Sequence, residues 1–320
     1  MKPKEILVFG ASGQIGRHLI RKLTKNNYKV IAVTRNIHQK GYILKTQANP
    51  GYLEIVELAY FNIEKINKLV EECSICINLI GILFEKRKNI FKNIHTDFPY
   101  LLSKLSAKKN IEKLIHLSSL GIEKCYDSNY AISKIEGENK IKKNFDRSVV
   151  LKPSIVYSVD DNFTTNLMTL LNRLPIFPIY HEGKTKFSPI HVTDLVQIIY
   201  DVVRGKTNEQ TIECIGPEIF SFKEIILKLL KAIDKKRLLI PLPLTIAKMM
   251  AKIFEIMPNP IITVDQINLL KYDNIPSGKY KTNFDLGIKA NRIFDEEIEK
   301  YSFNWRARGQ YSRDTFSEKN

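Results

Sequence analysis

A glycine loop set between a strand-length apolar run and a helix-period segment constrains this chain most. Ile6-Leu-Val-Phe9 runs directly into Gly10-Ala-Ser-Gly-Gln-Ile-Gly16, and Arg17-His-Leu-Ile-Arg-Lys-Leu23 follows with helical spacing. In a strand–loop–helix junction a glycine triplet becomes a phosphate-binding turn. Gly10 permits the sharp turn off the strand, Gly13 lets the backbone approach a pyrophosphate with no Cβ in the way, and Gly16 lets the helix lie close to the strand. Ser12, Gln14 and Ile15 complete the turn, and the free N–H groups of the helix start face the anion, which the helix dipole also favours. The spacing is GxxGxxG rather than the simpler GxGxxG. A glycine-rich turn without a ligand is the plainer alternative; the flanks, and the position at the first β–α junction, favour the dinucleotide.

The next strand speaks to which dinucleotide. Tyr28-Lys-Val-Ile-Ala-Val-Thr34 is followed by Arg35-Asn36. An NAD site usually ends this strand with an acid that holds the ribose 2′-hydroxyl. Here no acid along the strand repels a 2′-phosphate, and Arg35 is available to pair with one bidentately. The expected cofactor is therefore NADP(H), with NAD(H) as the alternative. Arg17 is equally a candidate for that end and an ordinary surface cation.

With 320 residues, 44% hydrophobic and 26% charged, the chain is long enough for one large or two modest domains and is globular in composition. Its formal net charge of +16 invites a nucleic-acid partner. The excess is lysine spread along the chain, with no RNP-type, zinc-finger or homeodomain signature, so no nucleic acid is expected. The first strand begins close to Met1, so no signal peptide is expected, and no apolar run reaches transmembrane length. Cys73-Ser-Ile-Cys76 has redox spacing but enters a strand, which suits packing, and the six histidines lack metal-ligand spacing. No metal is expected, and the compartment expected is the reducing cytoplasm, with peripheral attachment at the cytoplasmic face of the inner membrane as the alternative.

Strands and helices alternate through the first half. After the second strand comes a polar, glycine-containing connection from His38 to Gly51. A third strand follows at 52–57, a short helix at 63–70, a fourth strand at 75–80, a long amphipathic helix at 90–109, a fifth strand at 113–117, a helix at 131–144 and a sixth strand at 148–151. The alternation predicts an α/β fold, a doubly wound parallel sheet covered on both faces. The second half is richer in proline, as in Leu174-Pro-Ile-Phe-Pro178 and Ile240-Pro-Leu-Pro243, and reads as a smaller α+β domain. The expected boundaries are 1–157 and 158–320, with part of 185–205 returning to the first domain.

One constellation carries chemistry. Ser118-Ser119 ends the fifth strand, and Tyr130-Ala-Ile-Ser-Lys134 and Glu136-Gly-Glu138 follow. Tyr and Lys four apart share a helix face. A lysine cation beside a phenol favours the phenolate, so Tyr130 becomes an acid/base at neutral pH, with a serine hydroxyl to hold a substrate oxygen. YxxxK alone fits a surface pair equally well; its place downstream of the glycine loop and the Ser-Ser raises it.

With these pieces in place the chain resembles an extended or atypical short-chain dehydrogenase/reductase. The resemblance is carried by Gly10–Gly16, Asn78-Leu-Ile-Gly81, Asn93, Ser118-Ser119, Tyr130 to Lys134, Lys152-Pro-Ser-Ile-Val-Tyr157 and Pro189-Ile-His-Val-Thr-Asp194. It is similar in particular to the branch of the 39-kDa accessory subunit of respiratory complex I and its alphaproteobacterial relatives, through Arg35–Gly41, Ile77–Gly81, Asn93–Asp97, Leu151–Tyr157, Pro258-Asn-Pro260 and Val264-Asp-Gln266. The resemblance implies a Rossmann fold, an NAD(P) site including Asn78, Ile80, Gly81, Ser118, Pro153 and Ile155, and a catalytic set of Tyr130, Lys134, Ser119 and Asn93. It implies two functions: an accessory protein of quinone-linked respiration with a structural cofactor, or an active NADP-dependent reductase, dehydrogenase or epimerase, in a quinone-biosynthesis assembly for one relative. The chain departs at Leu58-Ala59, where the family often has an Asp for the adenine.

In the second half Leu244–Met257 is apolar on one broad face, with Lys248 and Lys252 on the other. It suits a membrane surface or a partner helix, but packing in the smaller domain's own core is the expectation. The basic, aromatic tail Trp305–Arg313 suits docking on a complex or acidic headgroups, or a frayed terminus.

Overall fold

The structure is a computed structural model that describes residues 5–85, 90–258, 260–307 and 309. Asn259 of the Pro-Asn-Pro motif, and Arg308 and 310–313 of the tail, lie outside the described residues. The chain forms two compact units, Met1–Pro153 with Val192–Cys214 and Pro276–Lys289, and Ser154–His191 with Ile215–Ile275 and Ala290–Asn320.

In the first unit the apolar runs become β1 (Glu5–Phe9), β2 (Lys29–Thr34), β3 (Leu53–Glu57), β4 (Ile75–Asn78), β5 (Lys113–Leu117) and β6 (Ser148–Pro153). Thr211–Cys214 and Lys281–Thr282 extend the sheet beyond β6. The order is β3-β2-β1-β4-β5-β6 and then these two strands, and every pairing is parallel. The fold is thus the Rossmann-like, doubly wound sheet expected. Side chains alternate between the two faces. Leu7, Phe9, Ile31, Val33 and Cys76 pack with helices α3 (Ile63–Glu72), α4 (Phe98–Lys109) and α5 (Asn129–Asn144). α1 (Gln14–Lys25) packs with α2 (Ile37–Gln47) and with helix Val192–Val203. Strand order reverses between β1 and β4, and ligands of open α/β sheets bind at the carboxyl ends flanking such a point.

Two element expectations need correction. The connection from His38 is mostly the helix α2. Asn36 caps it by accepting from Gln39 N–H at 3.0 Å, and Leu44 and Gly41 are buried one turn apart. A Cβ on Gly41 would sit 3.1 Å from Ile37 Cγ1, so this glycine serves close packing and not a loop. The long helix at 90–109 is not uniform either: Lys92–Asp97 is a π-turn ahead of α4. Pro99 has no N–H to give the His95 carbonyl four residues back, and Phe98 N–H reaches back five to Asn93. The released His95 oxygen lies against α5, where a Cβ on Gly137 would stand 1.9 Å from it.

The second unit has its own core, in which helices Phe222–Ala232 and Phe294–Ser302 pack Phe222, Ile225, Ile226, Leu229, Phe294 and Ile298 against Phe177 and Ile179. Ser221 and Glu224 close a reciprocal capping box, with Glu224 N–H to Ser221 Oγ at 3.2 Å and Ser221 N–H to Glu224 Oε2 at 2.7 Å. Helix Leu244–Phe254 departs from the expectation of core packing: only Ala247 and Ala251 of it are buried, and Ile246, Met249 and Ile253 face solvent. No helix among the described residues is long and apolar enough to cross a membrane.

Candidate dinucleotide site

The glycine turn has the geometry its sequence called for. Gly10 sits at φ +76°, and a Cβ there would approach the Leu79 carbonyl carbon to 3.0 Å. Gly16 is closed harder, with a Cβ 2.4 Å from the Ala11 carbonyl oxygen. Gly13 is different: it is exposed, and a Cβ would meet only Gly10 O at 3.3 Å. Space is therefore left open in front of Gly13, which caps α1 with extended backbone and no side chain of its own. The first turn of α1 holds no acid, while Lys22 and Lys25 stand in its last turn, so the dipole is uncompensated at the end that faces the turn. Ser12, Gln14 and Ile15 are half-buried around it, and Thr34 donates to Ser12 Oγ at 3.3 Å, tying the end of β2 to the turn. A cradle left open at Gly13, at the start of a helix with no acid in its first turn, fits a pyrophosphate.

At the other side of the reversal, Asn78 ends β4. Its Oδ1 accepts from Ile80 N–H at 3.1 Å and its Nδ2 donates to His116 Nδ1 at 3.1 Å, so Ile80 and Gly81 leave the strand in a fixed turn. Gly81 is exposed, and a Cβ on it would lie 3.5 Å from Lys134 Nζ. The Ile80–Gly81 turn and the Tyr-Lys helix therefore meet.

Tyr130 and Lys134 are both buried on α5, with Nζ 5.7 Å from the Tyr130 ring centroid. Lys134 donates to the Leu117 carbonyl at 3.1 Å. Burial lowers its pKa to about 8, against the opposing pull of Glu138, so the phenol has a protonated ammonium beside it at neutral pH. Of the two serines, Ser118 is committed: its hydroxyl donates to Glu138 Oε1. Ser119 is half-buried and adjacent. A phenol beside a buried ammonium suits proton transfer at a carbonyl or alcohol carbon.

Asn93 is exposed on the π-turn. Two residues on either side of Asn93 reach Tyr130 instead: Phe91, with ring centroids 5.9 Å apart, and His95, whose ring meets Tyr130 edge-to-face at 5.3 Å. His95 Nε2 accepts from Ile82 N–H at 3.2 Å, which leaves the proton on Nδ1 to donate to Ser133 Oγ at 3.0 Å, and Ser133 Oγ donates to Tyr130 O at 2.8 Å. Burial, then Lys134 and His116, push the His95 pKa down to about 2, so it works as a neutral clamp between the turn after β4 and the Tyr130 turn. Asn93 and His95 both lie in the π-turn that precedes Pro99. Lys152 was also passed over. It is fully buried, pairs with Glu138 Oε2 at 3.0 Å and with Glu123, and its ammonium stays charged because these carboxylates outweigh burial. Glu138 is thereby fixed between Lys152 and Ser118.

Arg35 is exposed just beyond β2. The acid nearest that end comes from the neighbouring strand: Glu57 is in register with Thr34 and accepts from Ile37 N–H at 3.1 Å at the start of α2. Leu58, in the place of the family's aspartate, is buried. Pro153 closes β6 in the first unit, and Ile155 is half-buried in the second.

The chain is similar to the mitochondrial NADH-ubiquinone oxidoreductase 40 kDa subunit of Neurospora crassa, 25% identical over 288 residues, covering 89% of this chain and 76% of the relative. It is also similar to the mitochondrial NADH dehydrogenase (ubiquinone) 1 alpha subcomplex subunit 9 of Mus musculus, 24% identical over 299 residues, covering 91% and 78%. Among solved structures, a UDP-glucuronic acid 4-epimerase from Bacillus cereus in complex with UDP-glucuronic acid and NAD shares the fold at TM-score 0.68 and 19% identity, covering 94% of this chain and 99% of that one. The family model described as NAD dependent epimerase/dehydratase family matches residues 6–214. The chain belongs to the NAD dependent epimerase/dehydratase family.

Proposed function

We propose that this chain is an NADP(H)-binding accessory protein of respiratory complex I, in which the dinucleotide stabilises the first unit and is not turned over. The observation that carries this reading is the reach of the likeness: it extends through both units and spans 76% and 78% of two complex I subunits. The open cradle at Gly13 supplies the dinucleotide site, and Arg35, exposed at the end of β2, is the group for a 2′-phosphate.

The test separates holding the cofactor from using it. Gly13→Val fills the cradle; NADPH binding and the stabilisation it confers should disappear, and the protein should no longer copurify with NADH dehydrogenase subunits from detergent-solubilised membranes. Tyr130→Phe removes one oxygen and should leave assembly and NADPH affinity intact. Normal assembly in Gly13→Val would overturn the reading. Arg35→Glu should erase a several-fold preference for NADPH over NADH in titrations of the purified protein.

The Tyr130–Lys134 geometry favours one second reading, an NADP-dependent reductase or epimerase. Oxidation of NADPH by the purified protein on a panel of quinones, ketones and nucleotide sugars, lost in Tyr130→Phe, would establish it in place of the first.

A further inference from the structure

The second unit carries an apolar surface that its own fold does not cover. Helix Leu244–Phe254 rests on the unit through Ala247 and Ala251, which pack with Ile267, Tyr180 and Leu244. Ile246 is 42% exposed, Met249 61% and Ile253 59%, and just past the helix Ile256 is 83% and Met257 47% exposed. At 100° per residue Ile246, Met249 and Ile253 fall on one outward stripe of the helix, and Ile256 and Met257 extend the exposed apolar surface past its end. Single exposed apolar residues need no explanation, but an aligned set does.

We propose that this stripe is an anchor that lies in the headgroup layer of an anionic membrane, with the helix parallel to the surface. The charge beside the stripe decides between a lipid surface and a protein partner. The centres of protein interfaces are enriched in aromatic residues, Met and Arg and depleted in Lys. Residues 244–257 contain no Trp, Tyr or Arg, and their one aromatic, Phe254, is half-buried. Ile and Met dominate the outward side, and Lys248 and Lys252 flank it. Both lysine stems are long enough to let the ammonium groups reach phosphates while the stripe sits deeper. The one acid in this stretch, Glu255, is turned away in use, accepting from Val264 N–H at 2.8 Å to fix the next helix. The strand that leads into the helix adds outward Leu238 and Ile240, at 60% and 41% exposed, and exposed Lys236 precedes it. The surface is thus apolar in the centre and cationic at the margin, and the chain's net charge of +16 acts in the same direction. The inference stands on the second unit alone and does not rest on the complex I reading.

The experiment uses the full chain. Flotation is measured with vesicles of phosphatidylcholine alone and of phosphatidylcholine containing a quarter phosphatidylglycerol. All four native cysteines are buried, so Ile256→Cys offers a single surface thiol for an environment-sensitive fluorophore, with Tyr60→Cys in the first unit as control. Expected are binding to the anionic vesicles, a blue-shifted and brighter probe at 256 and an unchanged probe at 60. Met249→Asp combined with Ile253→Asp should abolish flotation while the thermal midpoint holds, since both side chains already face solvent. Lys248→Gln combined with Lys252→Gln should weaken binding roughly thirtyfold. No flotation with either vesicle, or flotation undiminished in the double aspartate variant, overturns the proposal. So does a stripe-dependent dimer, or stripe-dependent capture of a protein subunit, without vesicle binding; the occupant would then be a protein.

Discussion

The glycine turn and α5 of the first unit contrast with helix Leu244–Phe254 of the second. In the first unit backbone touches backbone: a Cβ on Gly16 would stand 2.4 Å from the Ala11 carbonyl oxygen, and one on Gly137 would stand 1.9 Å from that of His95. Buried charges there are paired, as Lys152 is with Glu138 and Glu123. The helix of the second unit instead buries only two alanines and leaves Ile246, Met249 and Ile253 exposed. One region has no slack because several elements must converge on a site. The other has spare apolar surface because nothing in its own fold needs it. Strict packing and idle surface thus mark two kinds of function in one chain, ligand geometry and surface contact.

Gly137→Ala is the strongest way to break that contrast. α5 crosses the π-turn so closely that a methyl group has no room, and neither partner is a flexible side chain. Either α5 moves away, carrying Tyr130 and Lys134 with it, or the π-turn unwinds. The expected loss is about 3 kcal/mol or more, read as a large fall in the urea midpoint and loss of NADPH binding. A variant as stable as the parent would show that the close crossing carries no weight.

The same contact shows what was legible in the sequence. The glycine turn could be read because each glycine answers a backbone demand that a short motif states in full. The sheet could be read because strands buried on both faces are continuous apolar runs. α2 was missed because its buried side is only Gly41 and Leu44, and a glycine among polar residues looks like a loop. His95 was missed because it lies with Asn93 in the π-turn that precedes Pro99, where regular helical spacing does not apply. Glu57 was missed because it belongs to β3 and becomes a neighbour of Thr34 only through strand pairing. The outward stripe of Leu244–Phe254 was visible as a pattern. Which way it faced was not, since amphipathic spacing fixes a stripe and leaves open whether a core lies beneath it.

Lys134 sharpens the contrast through pH. Burial depresses its folded pKa from 10.5 to about 8. Below pH 8 both folded and unfolded chains hold the proton, and the cost of burying the ammonium is constant. Between pH 8 and 10.5 the unfolded chain keeps the proton and the folded chain releases it, so this group's contribution to stability rises with pH. Relative to Lys134→Met, the parent should gain on the order of 3 kcal/mol across that window, measured by urea denaturation of both proteins at each end. A flat difference would mean that Glu138 keeps the ammonium charged in the fold. Taking the difference against the methionine variant removes the tyrosines and cysteines that titrate in the same range.

The smallest effect is the most discriminating for the second unit. Met249→Ser with Ile253→Ser changes two large side chains that are 61% and 59% exposed. Serine lowers helix propensity slightly against methionine and not at all clearly against isoleucine. Removing exposed apolar surface costs little packing, so the stability of the isolated protein should change by less than about 0.5 kcal/mol. The same two changes made in a buried stripe would cost several kcal/mol, because each would leave a cavity and a buried hydroxyl. Urea denaturation of the purified variant reads the difference directly. A large loss would mean that the stripe is covered in the isolated protein, by a second copy or by another part of the chain, and the contrast between the two regions would fall. An unchanged midpoint places the value of these side chains outside the fold, in whatever surface the helix meets.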